Sequence, residues 1–301
     1  MSKTLLSICA YGGLPFLKIT MDALRGQKGF DVLVIVAKPG DNEMVQAIRR
    51  NPVGESFFHT QHDDNKGFPA AINDAYDFAF TRGDYDNLII CGNDVVPMEG
   101  AIEEMVNCAD TTEFEMVCGA EFNSRFLYDN YPEARKFFHG DNLVFKDFGA
   151  RPWLLHKERQ TGIEPHSRRD IRNFTLFKRA AFEKAGYADV GFWSNGYYED
   201  LDACRRLDRT NVSACGLKSA PFFHFWSRTI HQGENRDHGK LYRQNEHLYR
   251  EKWGGLWADE KYELPYHGDP YELAPGISIQ PDLKISTRDQ EDAIINYWRN
   301  L

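Results

Sequence analysis

Three carboxylates fall within four residues at Glu199-Asp200-Leu201-Asp202, and Arg205 follows close behind. They come after a stretch of glycine and aromatic residues, Gly191-Phe192-Trp193 through Tyr198, and they open a segment with helical spacing. Acidic side chains are favoured in a first helical turn, where unpaired backbone N–H groups present partial positive charge. Taken alone, the cluster is a helix start. Two further polar signals give it chemical meaning: Asn93-Asp94 follows one apolar run, and His224 closes another. Singly, these too have plain readings, a turn or helix cap for Asn-Asp and a packed ring for the histidine. Together they place at strand ends an oxygen ligand of the kind Mg²⁺ and Mn²⁺ prefer and an imidazole that can complete a Mn²⁺ site. The three signals together point to one metal-assisted active site.

The elements that must carry these residues are visible as apolar runs of strand length over 5–10, 32–37, 88–91, 116–119, 174–177 and 220–225. Helical patterns over 17–25, 43–49, 69–80 and 100–108 separate the early ones. Such alternation predicts an α/β sheet with right-handed crossovers, whose ligands gather at the carboxyl ends of the strands. Polar loops stand where that rule wants them: Tyr11-Gly12-Gly13, Lys38-Pro39-Gly40-Asp41 and Gly92-Asn93-Asp94. Neither GxGxxG nor GxxxxGK[ST] occurs, which removes the dinucleotide fingerprint and the P-loop. Residues 121–172 are irregular and rich in aromatics, with Pro132, Pro152 and Pro165, and read as an insertion over the sheet edge that could face an acceptor. Residues 231–301 read as a tail: an amphipathic helix over 238–252 stopped by Gly254-Gly255, an extended proline-bearing stretch, and a last helix over 287–300. That tail is expected to pack on the main domain or on a second subunit, which would make a homo-oligomer.

The chain has 301 residues, enough for one large α/β domain with an appendage. Its net charge of −9 disfavours a general nucleic-acid binder, although basic residues gather between Lys157 and Lys184, including Arg168, Arg169 and Arg172. The six cysteines form no CxxC pair, and Cys9, Cys91 and Cys118 lie in apolar runs as small hydrophobes. The first apolar run is interrupted by Gly12-Gly13 and Pro15 and is too short to span a bilayer. A cytoplasmic protein is expected on these grounds.

In order and spacing, the motifs resemble the inverting glycosyltransferases of family 2. Gly92-Asn93-Asp94 matches the family's short acidic motif, with Gly92 where an acidic or amide residue often stands. Asn65-Lys66-Gly67-Phe68-Pro69-Ala70-Ala71-Ile72-Asn73 matches its NxGxxxAxN-like segment. Residues 173–186 match the approach to its later acidic motif, here Glu199 to Arg205, and His224 with Ser227 and Thr229 match its downstream histidine. Lys252-Trp253-Gly254 adds support. The likeness covers 4–230. It implies a GT-A fold over 1–230, a Rossmann-like mixed sheet flanked by helices, with 231–301 as a helical and extended appendage.

The resemblance also implies roles. Asp200 would be the general base, Glu199 would shape the site and touch the acceptor, and Trp193 would stack on an acceptor sugar. Asp202 and Arg205 would pair to hold the helix start. Asp94 and His224 would hold a divalent metal, Mn²⁺ or Mg²⁺, on the diphosphate. Tyr11, Asp41, Asp64, Asn65, Gly67, Asn73, Asn93, Asp94, Ser227 and Thr229 would bind the nucleotide sugar, a UDP-sugar by default. A glycan, another hydroxyl compound or a nucleic acid with a modified base all fit as acceptor. Two other readings stay open. A nucleotidyltransferase would want a basic residue in the first loop, which Tyr11-Gly12-Gly13-Leu14-Pro15 lacks. A non-catalytic sugar-binding protein is favoured by Gly92 and opposed by the intact acidic motif.

Overall fold

The computed structural model describes residues 2–156, 160–165, 171, 173–193, 198–225 and 238–300. Its first strand, β1 (Thr4–Ala10), is buried along its whole length. An apolar run of this kind belongs inside a sheet covered on both faces. β2 (Asp31–Val36) lies parallel to one side of it and β4 (Asn87–Gly92) to the other, with β3 (Phe57–Gln61) parallel beyond β2. After β4 come β10 (Phe174–Lys178), β6 (Met116–Asn123), β11 (Ala214–His224) and β5 (Val95–Pro97), while β9 (Ile163–Pro165) also pairs with β11. β10 runs against both of its neighbours, and β6 and β11 resume the common sense. The result is a nine-stranded mixed sheet with a reversed strand near its middle.

Successive side chains of a strand point to opposite faces, so each strand feeds two cores. Leu6, Ile8, Val32, Val34 and Ile89 pack against α1 (Leu14–Leu24), α2 (Asn42–Arg50) and α4 (Ala101–Thr111). Leu5, Cys9, Leu33, Ile35 and Leu88 face α3 (Phe68–Tyr76), α6 (Arg179–Ala185) and α7 (Glu199–Arg209). α3 runs on as a single π-helical turn over Asp77–Thr81.

The stretch expected to be irregular is more ordered than its sequence suggests. β6 runs on to Asn123, and α5 (Ser124–Asn130) follows, then a small hairpin of β7 (Phe138–His139) and β8 (Val144–Phe145) between two 3₁₀ turns. Its aromatics form a satellite core: Phe138, Phe145 and Trp153 are buried with Phe223 and Phe225 at the end of β11. The tail carries α8 (His238–Trp253), a hairpin of β12 (Tyr271–Ala274) and β13 (Ile277–Ile279), and α9 (Glu291–Arg299). Trp253, Tyr266, Ile294 and Ile295 pack with Trp193 and Tyr198, so the tail covers the approach to α7. Among the described residues, no helix is long and apolar enough to cross a membrane.

Candidate active site

The strands of common sense all end at one edge of the sheet, and the reversed β10 begins there. Tyr11, Asp41, Asn93-Asp94 and His224 therefore gather at that edge, joined by Asn173 at the start of β10. Asn93 is buried, and its amide donates to the Gly12 carbonyl at 2.8 Å, while the Thr20 hydroxyl donates to the Asn93 carbonyl at 3.0 Å. Asn93 thus ties the glycine loop after β1 to the end of β4. Both glycines of that loop have φ +69°, a conformation other residues adopt at a cost.

Asp94 and His224 come together as the sequence implied. His224 Nε2 lies 3.5 Å from Asp94 Oδ1, and His224 Nδ1 lies 3.2 Å from Glu121 Oε1. Burial alone would lower the histidine's pKa, but the Asp94 carboxylate, with help from Glu121, outweighs it and raises the pKa to about 10. Gly92 has a steric reason: a Cβ there would lie 3.2 Å from Asp94 Oδ1 and 3.2 Å from Val95 Cγ2. A larger residue would crowd the carboxylate. Asp94 and His224 offer one oxygen and one nitrogen donor side by side, which fits an ion that takes its remaining ligands from phosphate oxygens and water. Among the described residues, no group of three or more His, Cys, Asp or Glu side chains is placed to hold a metal by itself.

A second group forms beside α3. The Asn65 amide donates to the Tyr11 hydroxyl at 3.4 Å, and its oxygen accepts from the Gly67 N–H at 3.1 Å. Gly67 has φ +82°, and a Cβ on it would lie 2.9 Å from the Trp193 ring, so only glycine fits. Trp193 is 7% exposed and belongs to the apolar cluster under the tail. Other expected nucleotide ligands are engaged within the protein. Asp41 caps α2, accepting from the Met44 N–H at 3.1 Å. Asn73 is buried, its amide donating to the Ala188 carbonyl and to Glu291 while its oxygen accepts from the Ala188 N–H. Asp64 pairs with Arg299, whose hydrogen bond holds the carboxyl below its usual range. Ser227 and Thr229 lie outside the described residues.

The acidic motif divides its three carboxylates. Asp202 is fully buried, with Arg206 Nε at 3.0 Å, Lys252 Nζ at 2.7 Å and Trp253 Nε1 at 3.0 Å. Burial pushes its pKa up, yet Lys252 and Arg206 prevail and hold it below the ordinary range. The expected Asp202–Arg205 pair is therefore corrected: Arg206, one residue further on, takes the carboxylate, and Arg205 lies over the Trp253 ring and donates to the Tyr262 carbonyl. Glu199 is 7% exposed, whereas Asp200 is exposed and accepts from the Leu201 N–H at 2.8 Å. Tyr198 before them has φ +70°, a left-handed conformation that is rare for a bulky residue and fixes the direction from which the helix starts.

Glu121, Asn173 and Arg299 were missed by sequence reasoning, and Lys252 was cited only within Lys252-Trp253-Gly254, without a role. A glutamate inside an extended apolar run was a readable signal for the first; the others are recruited from distant segments. The basic cluster loses part of its meaning. Lys178 donates to the Thr112 carbonyl, Arg179 to the carbonyls of Phe80 and Tyr85, and Lys184 to Glu115. Arg168, Arg169 and Arg172 lie outside the described residues.

The mixed sheet with its reversed strand, flanked by helices, has the architecture of the GT-A fold. Residues 6–186 match the model of Glycosyl transferase family 2, and the chain belongs to that family. Among solved structures it is similar to S. aureus TarS 1-349, with TM-score 0.51 and 10% identity over 85% of this chain and 73% of that one. It is similar also to the mannosyltransferase PcManGT from Pyrobaculum calidifontis, solved in complex with GDP-Man and Mn²⁺, with TM-score 0.51 and 9% identity over 83% of this chain and 64% of that one. At such identity the likeness is one of fold. No curated protein matches the chain in sequence.

Proposed function

We propose that the protein is an inverting glycosyltransferase that passes a sugar from a nucleoside-diphosphate donor, a UDP-sugar by default, to an acceptor hydroxyl, with Asp200 as general base. The observation that carries this is the division of labour in the acidic motif. Asp202 is locked between two buried cations and Glu199 is buried, which leaves Asp200 as the exposed carboxylate at the helix start. Asp200 takes the acceptor proton as the acceptor oxygen bonds to the anomeric carbon; the bond to the diphosphate breaks on the opposite face, and its electron pair leaves with the nucleoside diphosphate. Asp94 and His224 would hold Mn²⁺ or Mg²⁺ there, and a bound ion supplies charge that offsets the growing charge of the leaving group. The similar mannosyltransferase with Mn²⁺ and GDP-Man supports both the metal and the type of donor.

Tyr11, Asn65 and Gly67 form the side of the site that receives the nucleoside, with Trp193 as the wall behind Gly67. A glycan or other hydroxyl compound is the proposed acceptor. The nucleic-acid alternative gains nothing from Lys178, Arg179 and Lys184, whose donors are taken up by groups of the protein itself. Six buried free cysteines suit a reducing, cytoplasmic setting.

The test is Asp200→Asn, which keeps shape and removes proton affinity. Titration with nucleoside diphosphate is expected to give wild-type affinity, while transfer falls by about 10²–10⁴. Near-normal turnover in this variant would overturn the assignment.

A further inference from the structure

The loop that carries Asn65 is held from a part of the chain that lies beyond the family match, which ends at residue 186. Arg299, in the last turn of α9, reaches it with three nitrogens. Nε and Nη2 both donate to the Asn65 carbonyl, at 3.0 and 2.8 Å, and Nη1 donates to Asp64 Oδ2 at 2.8 Å. A planar guanidinium in this arrangement fixes a carbonyl and a neighbouring carboxylate relative to one another. Lys66 in the same loop pairs with Asp292 at 3.2 Å, also on α9. α9 is seated independently, by Ile294 and Ile295 in the cluster that contains Trp193, and by Glu291 on Asn73.

The contacts are of the wrong kind to be there for overall stability. The side chains of Arg299 and Asp64 are 25% and 50% exposed, and ion pairs so placed add little to folding free energy. Their effect is local. They set where the Asn65 backbone sits, and Asn65 sets the Tyr11 hydroxyl on one side and Gly67 on the other.

We propose that Arg299 is a positioning residue for the donor: through Asp64 and Asn65, the C-terminal helix holds the Tyr11–Asn65 pair in the geometry that receives the nucleoside. Donor affinity then depends on a residue 234 positions away in sequence. The inference rests on the reading of this edge as a nucleotide-sugar site.

The experiment uses the full chain, with UDP and GDP as probes in the presence of Mn²⁺, in calorimetric titration and in transfer assays. Arg299→Ala is expected to weaken binding and raise the donor KM by about tenfold with kcat nearly unchanged, the signature of lost uniform binding. Its melting temperature is expected to stay near that of the wild type. Arg299→Lys keeps the charge but loses the fork, so its affinity is expected to fall between the two; this variant carries the test if the alanine protein does not fold. Wild-type affinity and KM in both variants would overturn the inference while leaving the site reading intact. A fall in kcat with KM unchanged would overturn it as well. Failure of the wild-type protein to bind either nucleotide would instead overturn the reading of the site itself.

Discussion

Asp202 is a charge that the fold cannot give up. Its carboxylate neutralises Lys252 and Arg206, both buried, and Lys252 also reaches Asp189 at 2.6 Å. Asp202→Asn leaves buried cations short of a counter-charge and is expected to cost about 3–5 kcal/mol of stability. Chemical denaturation read by fluorescence would show the loss. Because the folded carboxyl titrates below its unfolded value, its contribution is present above about pH 4 and disappears as pH falls through the lower, folded pKa. Asp74 behaves the same way: burial raises its pKa, but His62 and Arg288 hold it down. Unfolding midpoints measured from pH 6 to pH 3 are expected to drop steeply in the wild type and less so in Asp202→Asn. The sequence showed the acidic motif but not its partners. Positions three and four residues ahead both lie beside Asp202 on a helix, so Arg205 and Arg206 were equivalent candidates. Lys252, from α8, takes the other oxygen of the same carboxylate, a pairing that local spacing could not show. Asp94 and His224 were legible as a pair because each ends an apolar strand; Glu121 was hidden because the run was read as ending at Gly119.

Gly186 shows the same dependence on distant chain at the level of elements. It ends α6 with φ +71° and ψ −150°, and a Cβ there would lie 2.0 Å from the Ile285 carbonyl oxygen. The entering tail bonds here, the Tyr187 N–H donating to Ile285 at 2.9 Å and the Ile285 N–H to Ala185 at 3.3 Å. Gly186→Ala is expected to cost about 1–3 kcal/mol from backbone strain alone and to loosen the segment leading to α9. Limited proteolysis would register this as faster cleavage after residue 280 or so, and unchanged cleavage would mean that the bridge does not hold the tail. Strands covered on both faces announced themselves as apolar runs, and helices by their periodicity. β3 did not, because Phe57–Gln61 alternates between half-buried and exposed residues at a sheet edge. β11 proved longer than its apolar end, since a bulge between Leu217 and Pro221 interrupts its pattern. The insertion hid its order because each of its pieces is too short to show a period.

For the molecule as a whole, alternation of strands and helices was enough to foresee the sheet and the edge where Asn93-Asp94 and His224 gather. Strand direction is another matter, since local pattern does not encode it; nothing in Phe174–Lys178 says that this strand runs backwards. Its reversal has a kinetic consequence. β6 bonds only to β10 and β11 among the described strands, and β4 has β1 on one side and β10 on the other. A nascent or refolding chain can therefore assemble β3-β2-β1-β4 early, but the buried-type edge of β4 stays open, and β6 lacks its β10 neighbour, until a segment from later in sequence inserts between them. Non-local closures of this kind fold slowly and leave sticky edges exposed meanwhile. Pulsed hydrogen exchange during refolding is expected to protect β1 and β2 before β6 and β10, with the last two gaining protection together. A chain cut before Phe174 is expected to aggregate, its sheet half built and its central place still vacant.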